Sequence, residues 1–154
     1  MVAHPRITPA LFYQDPRAAL VFLRDAFGFE LDFMIEDEGG NLVHSQMMHG
    51  EGRIMVGTEW SDNHRSPKSM GLVCTQTVHL HLDEDIDTHC EAARKAGAEI
   101  IAEPETQFYG DRTYRARDPE GHIWTFGRTV QQMTPEQWDK NSGLKTTTNE
   151  KSKA

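Results

Sequence analysis

The chain has little with which to do thiol or disulfide chemistry. Its 154 residues hold only two cysteines, Cys74 and Cys90. Two thiols make neither a disulfide framework nor a zinc-spaced set, and both read as buried and free. Cys90 lies in a helical stretch with no evident activating partner. A Ser-His-Asp order and a phosphate loop are also missing. No apolar run approaches the roughly 20 residues that a membrane span needs. Met1 to Arg6 has no apolar signal core, so the expectation is a cytoplasmic protein with no membrane partner. Positive charge is scarce as well: 16 basic residues against 24 acidic ones give a net charge of −8. That balance argues against nucleic acid, whose binding rests on neutralising phosphates. It permits a cationic or neutral small ligand without demanding one.

What the chain does have is an internal duplication. Asp15-Pro16-Arg17 through Gly28 and Asp85-Ile86-Asp87 through Gly97 each read as a helix. An Asp caps each start, and a Gly able to turn left-handed closes each end. Pro16 sits where a missing N–H costs nothing. A second echo follows in the same order: Glu51-Gly52-Arg53-Ile54-Met55 against Glu120-Gly121-His122-Ile123-Trp124. Both read as a turn entering the last strand of a unit. Strands are expected at 7–13, 30–36, 42–49 and 53–58, and again at 75–83, 98–103, 112–117 and 122–127. The Gly-rich run 36–41 marks a hairpin.

Each half is therefore strand, helix, then three strands. Residues 1–60 make a first βαβββ module, 61–73 a polar linker, 74–128 a second module, and 129–154 a polar tail. The tail is expected to form a short helix near Pro135–Asp139 and to be disordered beyond. It carries four Lys and three acids, which leaves about −9 on the rest.

The second half resembles the opening and closing of a vicinal-oxygen-chelate module. The opening is Val78-His79-Leu80-His81-Leu82, then Asp85 to His89, then Ala96-Gly97-Ala98-Glu99-Ile100. The closing hairpin runs from Tyr109-Gly110-Asp111-Arg112 to Arg117-Asp118-Pro119-Glu120-Gly121-His122-Ile123-Trp124. Over about residues 6–128 the chain is similar to the glyoxalase / bleomycin-resistance / extradiol dioxygenase group. The resemblance implies an α+β fold of two tandem βαβββ modules whose curved sheets form a cup, in a homodimer that shares modules. It also implies a small-molecule ligand. Members that do chemistry hold a divalent ion as a Lewis acid; resistance members use the cup without a metal.

Family ligands are His, Glu or Gln on the first and last strands of each module. Counting from the helix caps and turn glycines places Thr8, Val56, Thr77 and Thr125 in those slots. None is a usual ligand, so no cofactor is expected. The alternative is a divalent metal displaced onto His44, Gln46, His79 and His81. Alternation puts His79 and His81 on one strand face, opposite Val78, Leu80 and Leu82. It groups His44, Gln46 and Met48 in the same way. These histidines are either solvated or site residues, and His79 or His81 is the candidate catalytic base. His4, His49, His64, His89 and His122 read as surface residues.

Further candidates for ligand binding are Phe12, which shares a face with Thr8 and Ala10, and Tyr109. Gly110 beside it permits close backbone approach. Arg112 reads either as a clamp for a ligand carboxylate or as a salt bridge to a nearby acid such as Asp118. Trp124, with Phe126, reads as core or as a cup wall that stacks a flat ligand. The favoured function is sequestration of a small molecule without metal. The rivals are a lyase, isomerase or dioxygenase with the displaced metal, and a metal-free proton-transfer enzyme.

Overall fold

The computed structural model describes residues 4–149. The outermost part of the expected disordered tail, 150–154, lies outside them. Among the described residues, eight strands form two four-stranded sheets with the same topology. The first holds β1 (Ala10–Tyr13), β2 (Glu30–Glu36), β3 (Leu42–His49) and β4 (Gly52–Thr58) in the order β1-β4-β3-β2. The second holds β5 (Val78–His81), β6 (Glu99–Thr106), β7 (Asp111–Arg117) and β8 (Ile123–Thr129) in the order β5-β8-β7-β6. In each, the first strand runs parallel to the last, and the other pairings are antiparallel. The chain is therefore two tandem βαβββ modules.

A helix follows the first strand of each module. Helix α1 (Pro16–Phe22) runs into a π-helical turn, Leu23–Phe27, that ends at left-handed Gly28. Helix α2 spans Ile86–Lys95. Both starts are capped as the sequence implies. The Asp15 carboxylate accepts from the Ala18 N–H at 3.0 Å, and the Asp85 carboxylate accepts from the Thr88 N–H at 2.9 Å.

The two modules share one core, built from the helix-side faces of both sheets. The Phe27 ring, at the end of the π turn, lies 4.8 Å from Phe126 and 5.6 Å from Trp124. Leu11, Tyr13, Met47, Ile54 and Val56 meet it from the first sheet; Tyr114, Ala116, Trp124 and Phe126 meet it from the second. Each module thus buries its helix side within the chain.

The α2 face at i, i+3, i+4 and i+7 (Ile86, His89, Cys90 and Ala93) points inward. His89 is accordingly buried, not on the solvent face. Its Nε2 donates to the Phe27 carbonyl at 3.1 Å and its Nδ1 accepts from the Tyr114 hydroxyl at 2.6 Å. His49, also expected at the surface, is half-buried and reaches the same Phe27 carbonyl at 3.1 Å. His64 is half-buried between rings, stacked on Trp60 at 4.2 Å and edge-on to Phe12 at 5.1 Å. His122 is nearly buried, and its Nε2 donates to the Phe12 carbonyl at 2.8 Å. Only His4 is fully exposed among these five.

The turn before β8 is a second lock between modules. The buried Asp118 carboxylate accepts from the Glu120 and His122 N–H groups at 3.0 and 3.1 Å, which holds the turn in shape. Its other oxygen accepts from the Tyr13 hydroxyl at 2.8 Å and the Trp124 indole at 3.1 Å. Burial and the Asp118 charge raise the Tyr13 phenol well above its ordinary pKa. Glu120 reaches back to the Gln14 and Asp15 N–H groups at 2.6 and 3.0 Å.

Beyond β8 the chain crosses Gly110, whose carbonyl accepts from the N–H groups of Val130 and Gln131. Helix α3 (Pro135–Ser142) follows, with a capping box between Thr134 and Gln137. It runs past the expected end at Asp139, and Asn141 donates to the Phe108 carbonyl at 3.3 Å.

Candidate functional site

The face of each sheet turned away from the helices is open, and strand alternation decides which side chains it carries. In β5, Val78 and Leu80 pack on the core while His79 and His81 are exposed. Register then extends the row across the second sheet: His79 pairs with Thr125, and Thr125 pairs with Arg115. The next row is His81, Gly127 and Thr113. The same logic puts Ala10, Phe12, Met55, Gly57, Gln46, Met48 and His44 on the open face of the first sheet. Gln46 and His44 contact each other at 3.3 Å, and Phe33 on β2 lies against the His44 ring.

The expected site residues therefore fall into separate places. Phe12, His44, Gln46 and Met48 are on the first open face; His79, His81 and Thr125 are on the second. Tyr109 is half-buried in the loop that enters β7. Burial raises its phenol pKa, Asp111 adds to the rise, and the Arg115 charge opposes it. Trp124 is not a cup wall. It is fully buried on the helix side, and its indole is spent on Asp118. Arg112 is not a ligand clamp either. It points to the helix side and grips Asp87 of α2 with two bonds of 2.7 and 2.8 Å, so its partner is not Asp118. That guanidinium holds the Asp87 carboxyl below its usual pKa. The close backbone approach permitted at Gly110 is used by the tail: a methyl there would run into the Gln131 carbonyl.

A cavity of about 850 Å³ lies beside His79 and His81. From the first module it is lined by Ile7, Pro9, Phe29 and the β3–β4 turn around His49 to Ile54, not by His44, Gln46 or Met48. His79 and His81 have no hydrogen-bond partner among the described residues.

One residue of this face escaped the sequence reading. Arg115 is exposed, and its Nε donates to the Thr125 hydroxyl at 3.1 Å. The alternation of Tyr114 and Ala116, both buried, was the signal that sends Arg115 the other way.

The donors do not suit the divalent metal that the family resemblance implies. One slot is also corrected: Val56 is buried on the helix side, and the register makes Met55 the counterpart of Thr125. The corrected set is three threonines and a thioether, poor donors for zinc, nickel or iron. Among the described residues no three His, Cys, Asp or Glu side chains converge on one point, so His44, His79 and His81 form no shared centre within a chain.

Comparison with known proteins agrees with this architecture. The profile of the Glyoxalase/Bleomycin resistance protein/Dioxygenase superfamily matches residues 4–126. An uncharacterised protein of Mycobacterium bovis is 27% identical over 133 residues, covering 84% of this chain and 86% of that one. The crystal structure of TioX from Micromonospora sp. ML1 superposes with a TM-score of 0.64 at 30% identity, covering 84% of this chain and all of the other. The fosfomycin resistance protein FosX from Listeria monocytogenes shares the fold, with a TM-score of 0.60 at 15% identity over 90% of this chain and 99% of its own. The chain belongs to the glyoxalase/bleomycin resistance/dioxygenase superfamily.

Proposed function

We propose that this protein binds a small molecule against the open face of its second sheet, without a resident metal, as a sequestration or resistance type of member. The observation that carries this reading is the row His79, Thr125 and Arg115, in which exposed His79 and Arg115 flank a nearly covered Thr125 and no member pairs with a carboxylate among the described residues. Hydrogen-bonding groups left uncommitted at one place favour a polar ligand over a packing role. A second copy of the chain completes the enclosure, because Phe12, Phe33, Met48 and Met55 give the first sheet an apolar open face. The ligand lies between one apolar and one polar wall.

The test is a ligand-observed NMR screen of small aromatic and heteroaromatic compounds in excess chelator. Hits are expected that shift the amides of Thr125, His79 and Arg115. The reading is lost if no compound binds, or if hits bind only after a divalent cation is restored.

The freedom of His79 and His81 favours one second reading, proton transfer with either imidazole as base. Turnover of a bound hit that disappears in His79→Gln or His81→Gln, with binding kept, selects it.

A further inference from the structure

Arg115 and His79 stand two strands apart, yet both lean onto the strand between them. Adjacent strands lie about 4.8 Å apart, so upright side chains at these positions would be separated by roughly 10 Å. Instead, the Arg115 Nε reaches the Thr125 hydroxyl at 3.1 Å. From the other side, the His79 imidazole lies over Gly127. A methyl placed on Gly127 would sit 3.2 Å from His79 Nε2 and 3.2 Å from Thr113 Cγ2. The absence of a side chain at Gly127 is what leaves room for the ring.

The result is a line of polar groups along β8, with Arg115 on Thr125 and His79 one row further on, over Gly127. The Thr125 oxygen accepts from Arg115, so its own proton is free to donate outward. The two Nη groups of Arg115 bond no acceptor among the described residues. The His79 Nε2 borders them from over Gly127, one row further along β8. The other arginines nearby are already spent: Arg112 on Asp87, and Arg117 on Glu99 at 3.3 Å. Arg115 has no acidic partner within 4 Å among the described residues.

We propose that Arg115, Thr125 and His79 seat an anionic group of the ligand, a carboxylate. This rests on the open face being the ligand face, and it names the chemistry found there. One fixed positive charge matches one negative charge, and the planar fork of Arg115 fits two carboxylate oxygens. A dianion would be less well matched, since the rest of the protein is strongly acidic. The selectivity is the reverse of what net charge suggests: an acidic protein that selects an acidic ligand through one local group.

Calorimetry with 2-naphthoate, 2-naphthamide and 2-naphthyl phosphate tests this on the full chain. The carboxylate is expected to bind about ten-fold or more tighter than the isosteric amide, and tighter than the phosphate. Arg115→Gln removes the preference for the carboxylate, whereas Arg112→Gln keeps it. Arg115 is exposed, and near-UV circular dichroism of the variant reads out that the fold is intact. Gly127→Ala, which displaces the His79 ring, lowers carboxylate affinity and leaves the amide less affected. Equal binding of carboxylate and amide to wild type, or a preference that survives in Arg115→Gln, overturns the carboxylate seat and leaves the ligand face standing. Tighter binding of the phosphate overturns the choice of a monoanion. If none of the three probes binds, the seat and the ligand face fall together.

Discussion

Asp118 satisfies four donors from a buried position, so it is the residue whose loss costs most outside the aromatic core. Asparagine keeps one acceptor oxygen but brings an NH₂ group against the Tyr13 hydroxyl or the Trp124 indole, or against the turn amides. Asp118→Asn is expected to destabilise by about 2–3 kcal/mol, measured by chemical denaturation. Arg112→Ala breaks an exposed pair and is expected to cost under about 1 kcal/mol. A smaller loss at Asp118 than at Arg112 would contradict this ranking. His89 supplies a pH dependence. Burial lowers its pKa from the ordinary value, with the Phe27 hydrogen bond opposing. On acidification below about 6.5 the unfolded chain takes up this proton before the folded one does, so the folded state loses stability as pH falls. The melting temperature should therefore drop between neutral pH and pH 5, and the drop should be smaller in His89→Gln.

At the scale of elements, the repeated pattern of caps and turn glycines made the modules legible. Asp15 and Asp85 cap the helices, and Gly28 and Gly121 sit at left-handed turns. Alternation also sorts the faces of β5, and of β3 from His44 to Met48; at the bulge before His44 it fails, with Leu42 buried and Val43 exposed. Where the reading went astray, the reason was a contact between distant segments. Nothing near His89 in sequence says that Phe27, in the other module, offers it a carbonyl. The salt-bridge alternative for Arg112 holds, but with Asp87 and not Asp118; the buried pair Tyr114 and Ala116 places Arg112 with the helices and exposes Arg115. The Val56 slot failed because counting from Gly52 and from Gly121 ignored a one-residue difference between the turns, and a one-residue slip exchanges the faces of a strand. The tail docks more than its composition suggests, through Gly110 and α3. Cutting the chain after Leu144 should leave the melting temperature within a few degrees. Cutting before Val130 should lower it clearly, because it uncovers Gly110 and removes the Asn141 bond to Phe108. Equal effects of the two truncations would show that α3 contributes nothing.

At the scale of the whole molecule, the helix sides are buried within one chain and the open faces are not. Phe33 and Ile35 on β2 are 41% and 50% exposed, and β2 is the edge of its sheet. Edge strands of that kind are usually covered. Light scattering at micromolar concentration should report about twice 17.5 kDa, and Phe33→Glu should shift the mass to that of a single chain. A wild-type monomer would remove the second copy from the account. The central claim is that this ligand face works without a metal, because threonines and a methionine stand where the family's ligands would. Its most direct test is elemental analysis of protein expressed with added zinc, nickel, iron and manganese and purified without chelator. The account predicts far less than one equivalent of any of them per chain and no change of melting temperature on adding chelator, whereas a tight ion would add about 2.7 kcal/mol at 100 times its Kd. One full equivalent in the wild type, lost from His79→Ala and from His81→Ala, would contradict it.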